Sequence, residues 1–482
     1  MDYQNITRRL PPTRLAFLGS LLLSFVAVYG TFLVGRDAVF YLDVARQISE
    51  EGPRVAFRVF NWPWFSLLLA GTHRLLPVPL ELTAYSWCAA FLAGTCALLV
   101  AITQRFVAGS GYWACLVALS IPAFNHFRYD IIREFGFWFF CVLAFWLALR
   151  WQERGGWRSP ILVHLAIVGA ALFRLEAAFL LAAFALWLAA EANTASGRLK
   201  LLQFNLLPLL AAGIGGVMLV SIGGFSQSRV DLFLSLIDPR NAMTQLDWMA
   251  GKFADAALGK ASADDARQIV FLGLLFTLVA KFLSGCGPFL IPLLYRANWQ
   301  ALGDYWRKLR PLACAWLLYF GILMFFFVNM HFINGRYVSF LHVLSVPFLT
   351  MALMRFARQW PRLSKIVITL AVLVMLGNVV SLGAKRTHFL EASAWLSSHT
   401  SPADAVYYED IRISYYAGRG VPEALISRDE ALSAYSATRF RFFVLTTKAE
   451  DARLQQWMAE NKKRMVQKFS NSKGDTVTIV GD

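Results

Sequence analysis

A mostly α-helical, polytopic membrane protein carrying a small C-terminal α/β domain is the fold class this sequence predicts, on three observations. Apolar residues fill 57% of the 482 positions and charged residues only 16%, too little polarity to cover a soluble globule of this length. The apolar residues gather in runs that reach the roughly 20 residues a helix needs to span a bilayer. Lys and Arg recur in short clusters between those runs, as cytoplasmic loops require. The net charge of +16 therefore reports membrane orientation and not a nucleic-acid partner.

At the N-terminus, MDYQNITRRLPPTR places Arg8, Arg9 and Arg14 before the first apolar run, and no small-residue cleavage site follows. The segment reads as a retained signal anchor with a cytoplasmic N-terminus. The clusters Arg150/Arg154/Arg158, Arg198/Lys200, Arg296/Arg307/Lys308/Arg310 and Arg355/Arg358/Arg362/Lys365 should also be cytoplasmic. An even number of crossings must separate any two of them, which predicts about eleven spans: 15–34, 82–103, 107–124, 135–150, 160–173, 175–190, 204–223, 269–295, 312–330, 337–354 and 366–383. Arg105 marks the turn between the second and third. An odd count puts everything after about residue 384 outside.

The first outer loop, 35–80, holds two helix-like stretches. In GRDAVFYLDVARQ and the residues after it, Phe40, Val44 and Ile48 share one face while Asp43, Arg46, Gln47 and Glu50 cover the other, the pattern of a helix lying in the interface. In FNWPWFSLLLAG, Trp62 and Trp64 suit the headgroup level. The segment 160–190 is too short for two full spans. A helix of about 15 residues reaches only about 22 Å against a core of about 30 Å, so two short helices should meet below the membrane surface with Arg174 and Glu176 at a buried turn. Further on, SGCGP at 284–288 reads as a helix break.

Two domains result: a membrane domain over 1–383 with outer loops 35–80 and 224–268, and a soluble extracytoplasmic α/β domain over 384–482. The latter runs helix (HFLEASAWLSSH), strand (AVYYED), loop (YYAGRG), strand (RFFVLTT), helix (AEDARLQQWMAENKK), and two strands, RMVQKFS and DTVTIVG, joined across NSKG. It carries no catalytic constellation. All six cysteines fall in apolar runs, which excludes a disulfide framework or a spaced metal site. The absence of HExxH, GxSxG, Walker-type and CxxC motifs leaves zinc hydrolysis, serine hydrolysis and nucleoside triphosphate use without their signatures.

Charged residues at the outer ends of spans are the candidates for chemistry, because a charge near the bilayer core must pair or line a polar path. They are Asp37 after the first span; Arg128, Asp130, Arg133 and Glu134 in NHFRYDIIREFGFW; and His331 and Arg336 in MHFINGRYVSF. Arg174, Glu176, Tyr41 and His331 would line the cavity. Arg336 has no acidic neighbour in the sequence, so it suits a phosphate clamp.

The segments GRDAVFYLDVARQ, RYDIIREFGFW, FRLEAAFLL and GRYVSFLHVLSVPFL, together with the outer acid, the short paired fifth and sixth spans and the outer C-terminal domain, resemble the GT-C glycosyltransferases. Within these they are similar to the family 39 branch, which includes dolichyl-phosphate-mannose protein mannosyltransferases and bacterial lipid A aminoarabinose transferases. The resemblance covers roughly residues 15–383. It implies a glycosyltransferase of the EC 2.4 class in a bacterial inner membrane, moving a sugar with inversion from a polyprenyl-phosphate carrier to a hydroxyl of a lipid, glycan or protein acceptor at the outer face. No nucleotide sugar enters such a site. Asp37 then corresponds to the family's first-loop acid, Asp130 or Glu134 to the acid of the second outer turn, and Arg336 to the basic residue near the lipid phosphate.

That chemistry needs a base for the acceptor proton and cations for the departing phosphate. Asp37 is the expected base and Arg336 the expected phosphate ligand, with Arg128 or Arg133 assisting. Family members often carry an acidic pair in the first loop, whereas Ala38 follows Asp37 here, so no metal is assigned and no cofactor is expected. A flippase or transporter of lipid-linked saccharides is the alternative reading of the spans and of Arg174/Glu176, and a noncatalytic envelope scaffold a third. The transporter reading gives no reason for interfacial helices or for an outer domain.

Overall fold

The computed structural model describes residues 10–222, 235, 238–300, 302–380, 386–422, 426–447 and 451–482. Arg8 and Arg9, most of 224–237 in the second expected outer loop, and the last residues of the expected spans 204–223 and 366–383 lie outside these.

Helix α1 (Pro12–Tyr29) starts on a proline, whose fixed φ suits a first turn. The first loop expected outside folds into α2 (Arg36–Glu51), α3 (Arg54–Val59) and α4 (Trp64–Leu75), the last beginning directly after Pro63. Next come α5 (Leu80–Phe106), α6 (Gly111–Ser120) and α7 (Glu134–Arg154). Helices α8 (Arg158–Phe173) and α9 (Phe179–Ala190) are interrupted by Arg174 in an extended conformation and a single 3-10 turn, Leu175–Ala178. At 1.5 Å per residue α8 is only about 24 Å long, and Arg174 at its end is buried, so the short hairpin is present with Arg174 buried inside the protein.

Then follow α10 (Ala195–Ile222), α11 (Pro239–Ala257) and α12 (Ala266–Cys286). Asp238 caps α11 by accepting the Arg240 N–H at 2.9 Å, with Pro239 in the first turn. The break expected at SGCGP falls at Gly287, whose φ of +55° sits in the region that glycine alone enters without strain. A side chain there would also strike Pro122, since its Cβ would lie 2.5 Å from that ring. Helices α13 (Arg310–Met330), α14 (Gly335–Gln359) and α15 (Pro361–Val379) complete the apolar part.

A helix stands at each of the eleven expected spans. Among the described residues seven are long and apolar enough to cross a membrane: α1, α5, α7, the Lys260–Leu293 stretch containing α12, α13, α14 and α15. Gly111–Ser120, Arg158–Phe173 and Leu175–Ala190 are apolar but shorter, so the expected count of eleven full crossings is met at seven positions by length and hydropathy.

The chain divides into two compact units. The first comprises Met1–Val26, Trp87–Arg128 and Arg133–Val379. Its core is built on α14, buried from Val338 through Val346 and again at Leu349, Thr350 and Ala352–Met354, and on the large side chains of Trp138, Phe145, Phe184 and Trp187. Pro347 sits inside α14, as buried membrane helices allow.

The second unit comprises Ala27–Ser86, Tyr129–Ile132 and Val380–Asp482. The first outer loop, grouped by sequence with the membrane segments, therefore belongs with the C-terminal region. The physical reason is polar. Arg36 of α2 donates to Asp410 at 2.8 Å, and Asp43 accepts the Val421 N–H at 3.2 Å. Asp43, expected on the solvated face of α2, is buried, held also by Arg46 at 2.8 Å and Gln47 at 2.9 Å.

In the C-terminal region, α16 (Thr387–His399), β1 (Val406–Tyr408), β2 (Phe442–Thr447), α18 (Ala452–Glu460), β3 (Arg464–Ser470) and β4 (Thr476–Gly481) follow the expected order, with α17 (Ile411–Tyr416) forming in the expected loop segment and ending on the first two residues of YYAGRG. Asp410 nucleates α17 by accepting the Arg412 N–H at 3.0 Å. The sheet order is β1-β2-β4-β3, with β1 parallel to β2 and the other pairs antiparallel. Helices cover both faces: Phe442 and Val444 pack with Phe389 and Leu396 of α16, while Phe443 and Leu445 pack with Leu454 and Trp457 of α18. A strand covered on both sides reads as continuously apolar, and FFVL does.

Candidate active site

Three elements of the first unit bring four of the sequence-selected charges together. Glu134 opens α7, Arg174 and Glu176 form the turn between α8 and α9, and Arg336 sits in the first turn of α14. Arg174 donates through Nη1 to Glu134 Oε1 at 2.8 Å and through Nη2 to Glu176 Oε1 at 2.5 Å. Arg336 Nε lies 3.7 Å from that same Glu134 oxygen. The expectation of a cation with no acidic partner is corrected: the acid comes from about 200 positions earlier in the chain, where inspection of neighbours in sequence does not reach.

Two guanidinium groups and two carboxylates balance in charge, which is how ions persist among apolar helices. The two arginines are not equivalent. Arg174 is 7% exposed and bonded at both ends, whereas Arg336 is 20% exposed and stands at a longer distance from its acid. Tyr337 lies beneath both, its ring centre 4.5 Å from the Arg174 guanidinium carbon and 5.7 Å from that of Arg336. Tyr319 fixes this ring's backbone by donating to the Tyr337 carbonyl at 3.3 Å. The turn before α14 is set by Asn334, whose side chain accepts the Arg336 N–H at 3.1 Å.

The other candidates of this unit go elsewhere. Arg128 is 2% exposed and donates to Asn125 Oδ1 at 2.6 Å, to the Ser20 carbonyl at 3.0 Å, and to the Ser20 and Ser24 hydroxyls at 2.9 and 3.0 Å. Neutral oxygens thus tie it to α1, while its Nη2 is buried with no hydrogen-bond partner among the described residues. Arg133 is half-buried at the N-terminus of α7. His331 ends α13 in a left-handed conformation, and its ring is stacked on Trp248 of α11 with centroids 5.3 Å apart.

The remaining candidates belong to the second unit. Asp37 lies in the first turn of α2, a position that favours a carboxylate, and it is half-buried. Asp130 reaches the residue before this helix: a Cβ on Gly35 would meet its Oδ1 at 3.4 Å. Asp130 thereby supplies a second carboxylate beside the start of α2, although Ala38 denies Asp37 an acidic neighbour in sequence. Tyr41 is buried in an aromatic cluster, with Phe65 at 5.4 Å and Phe40 at 6.2 Å between centroids. Among the described residues no group of three or more His, Cys, Asp or Glu side chains is gathered as metal ligands.

No protein-family model matches the chain, and no curated protein matches it in sequence. The likeness lies in the fold. The crystal structure of ArnT from Cupriavidus metallidurans bound to undecaprenyl phosphate aligns with a TM-score of 0.60 at 13% identity, over 96% of this chain and 97% of that one. The chain shares the fold of that protein. Since the alignment takes in nearly the whole chain, the shared fold includes the C-terminal sheet as well as the helices. Within it, sequence reasoning missed Tyr337 and Tyr319, which shape the arginine pair, and the buried Asp43. Tyr337 carried a signal, being adjacent to Arg336; Tyr319 and Asp43 carried none that a helical pattern reveals.

Proposed function

We propose that this protein is a glycosyltransferase of the bacterial inner membrane that moves a sugar from a polyprenyl-phosphate-linked donor to an acceptor hydroxyl at the outer face. The observation that carries the reading is the GT-C fold shared, over almost all of both chains, with a protein crystallised with undecaprenyl phosphate. The acceptor oxygen attacks the anomeric carbon and its proton passes to Asp37, while the bond from that carbon to the carrier phosphate breaks and the polyprenyl phosphate leaves. Direct displacement inverts the anomeric centre.

Arg336 is the proposed ligand of the departing phosphate, because it is the more exposed arginine of the cluster and the farther from Glu134. Arg174, bonded to both Glu134 and Glu176, positions that cluster. Arg133 is the assisting cation, since Arg128 is committed to α1. Asp130 is the alternative base, by its approach to the start of α2.

Purified protein incubated with a polyprenyl-phosphate sugar and envelope extract should release free polyprenyl phosphate and glycosylate one acceptor class, read by mass spectrometry. Movement of the intact lipid-linked sugar across vesicles with no release of polyprenyl phosphate would replace this reading with that of a flippase.

A further inference from the structure

A second set of cations stands at the opposite end of α14 from Arg336. A cavity of about 220 Å³ is walled by Phe106, Lys308, Met351, Met354, Arg355 and Arg358. Arg355 and Arg358 are three residues apart on α14 and so project from one face; Lys308 ends the short helix Leu302–Lys308 ahead of α13, and Phe106 ends α5. Arg336 and Arg355 are 19 residues apart on one helix, about 29 Å at 1.5 Å per residue, so this cavity is separate from the Glu134 cluster. It lies at the end of the helices that the basic clusters assign to the cytoplasm.

Among the described residues none of the three cations has an acidic partner. A basic loop orienting a span explains one or two such residues, and Arg358 in the last turn of α14 also suits the helix dipole. Neither explains three positive side chains converging on one concavity whose other walls are Met and Phe. Like charges there repel, and half-buried Arg355 gives up part of its hydration to a partly apolar wall. A bound anion offsets both costs. The apolar walls suit a ligand that is part hydrocarbon, and the volume is below the roughly 300 Å³ at which drug-sized ligands begin to fit, which leaves out a nucleotide.

We propose that this cavity seats the phosphate of an anionic membrane phospholipid, with its glycerol and first methylenes against Phe106, Met351 and Met354. Basic pockets between membrane helices on the cytoplasmic side recognise such headgroups.

The test uses the full chain, purified in detergent and offered phosphatidylglycerol, phosphatidylcholine or inorganic phosphate at equal concentration, with retained lipid read by native mass spectrometry and stability by thermal melting. Phosphatidylglycerol alone should be retained and should raise the melting temperature. The Lys308→Gln/Arg355→Gln/Arg358→Gln variant should retain it at least about tenfold less well, since each charge-assisted contact contributes about that factor. Equal retention by variant and parent overturns the proposal, and so does stabilisation by inorganic phosphate that matches the lipid, which would make the ligand a soluble anion. If the triple variant does not fold, the parent decides alone: phosphatidylcholine equalling phosphatidylglycerol overturns the assignment, and preference for phosphatidylglycerol that vanishes at high salt supports it.

Discussion

Arg174 and Arg336 share one carboxylate and should nevertheless fail in different ways when replaced. Arg174→Ala leaves buried Glu134 only the 3.7 Å approach of Arg336 and takes from half-buried Glu176 its 2.5 Å partner, and breaking a buried pair typically costs about 3–5 kcal/mol, so its expression and melting temperature should fall sharply. Arg336→Ala leaves Glu134 its 2.8 Å bond to Arg174 and should melt near the parent while binding a polyprenyl-phosphate sugar about tenfold to a hundredfold less well. Arg336→Lys should fall between, because an ammonium lacks the two-pronged donor geometry. Donor affinity measured beside thermal melting separates the two arginines, and a large melting shift for Arg336→Ala would make it a structural cation. Asp37→Asn should keep the fold and lose transfer by about a hundredfold to ten-thousandfold; near-normal turnover would move the base to Asp130. The sequence made the charged candidates legible because ions at span ends are rare enough to notice. Their pairing was hidden, since Glu134 and Arg336 meet only through folding, and Arg128 looked like its neighbours until Ser20 and Ser24 of a distant helix were seen to hold it.

At the scale of elements, the break after α12 has a steric test. Gly287→Ala adds both a strained φ and a Cβ 2.5 Å from Pro122, and should destabilise the protein by about 1–3 kcal/mol, read as a lowered melting temperature with unchanged helix content. Gly251→Ala, on α11 with no heavy atom within 4 Å of the new carbon, is the control. Secondary structure was the most legible level of this chain. Apolar run length located the membrane helices, and the proline and glycines of SGCGP located the break. The short hairpin at Arg174 followed from comparing two lengths, helix against bilayer. What run length could not give was α17, whose start depends on the Asp410 side chain capping a segment of turn-like composition. Nor could amphipathic spacing identify the burial of Asp43, because its partner Val421 arrives from the other end of the chain.

For the whole molecule, reporter fusions test orientation: an enzyme active only outside the cytoplasm should work when attached after Asp482 and stay silent near Arg154 or Arg358. Silence after Asp482 would reverse the assignment of both faces. Acid should loosen the second unit through Asp410. Burial alone would push this carboxyl up, but the hydrogen bond and charge of Arg412, with the hydrogen bond from Arg36, outweigh it and hold the group at about 2. A carboxyl depressed on folding contributes stability above its unfolded value near 3.9 and loses it as pH falls toward 2, here about 2 kcal/mol. Asp410→Asn should therefore be less stable at neutral pH and should lose less between pH 4 and pH 2, by denaturant titration. The two-unit division was only half legible, since a polar C-terminal region advertises itself while the attachment of 27–86 to it rests on bonds such as Arg36 to Asp410. The strand order also sets a timetable. β4, made after every other strand, lies between β2 and β3 and supplies the partner that each needs. Until it emerges, Phe443, Val444 and Leu445 have only β1 beside them, and β3 has no strand to pair with. The sheet must wait with open edges from the synthesis of β2 until β4 is made, an interval in which a holding chaperone or a nearby protease has its best opportunity to act.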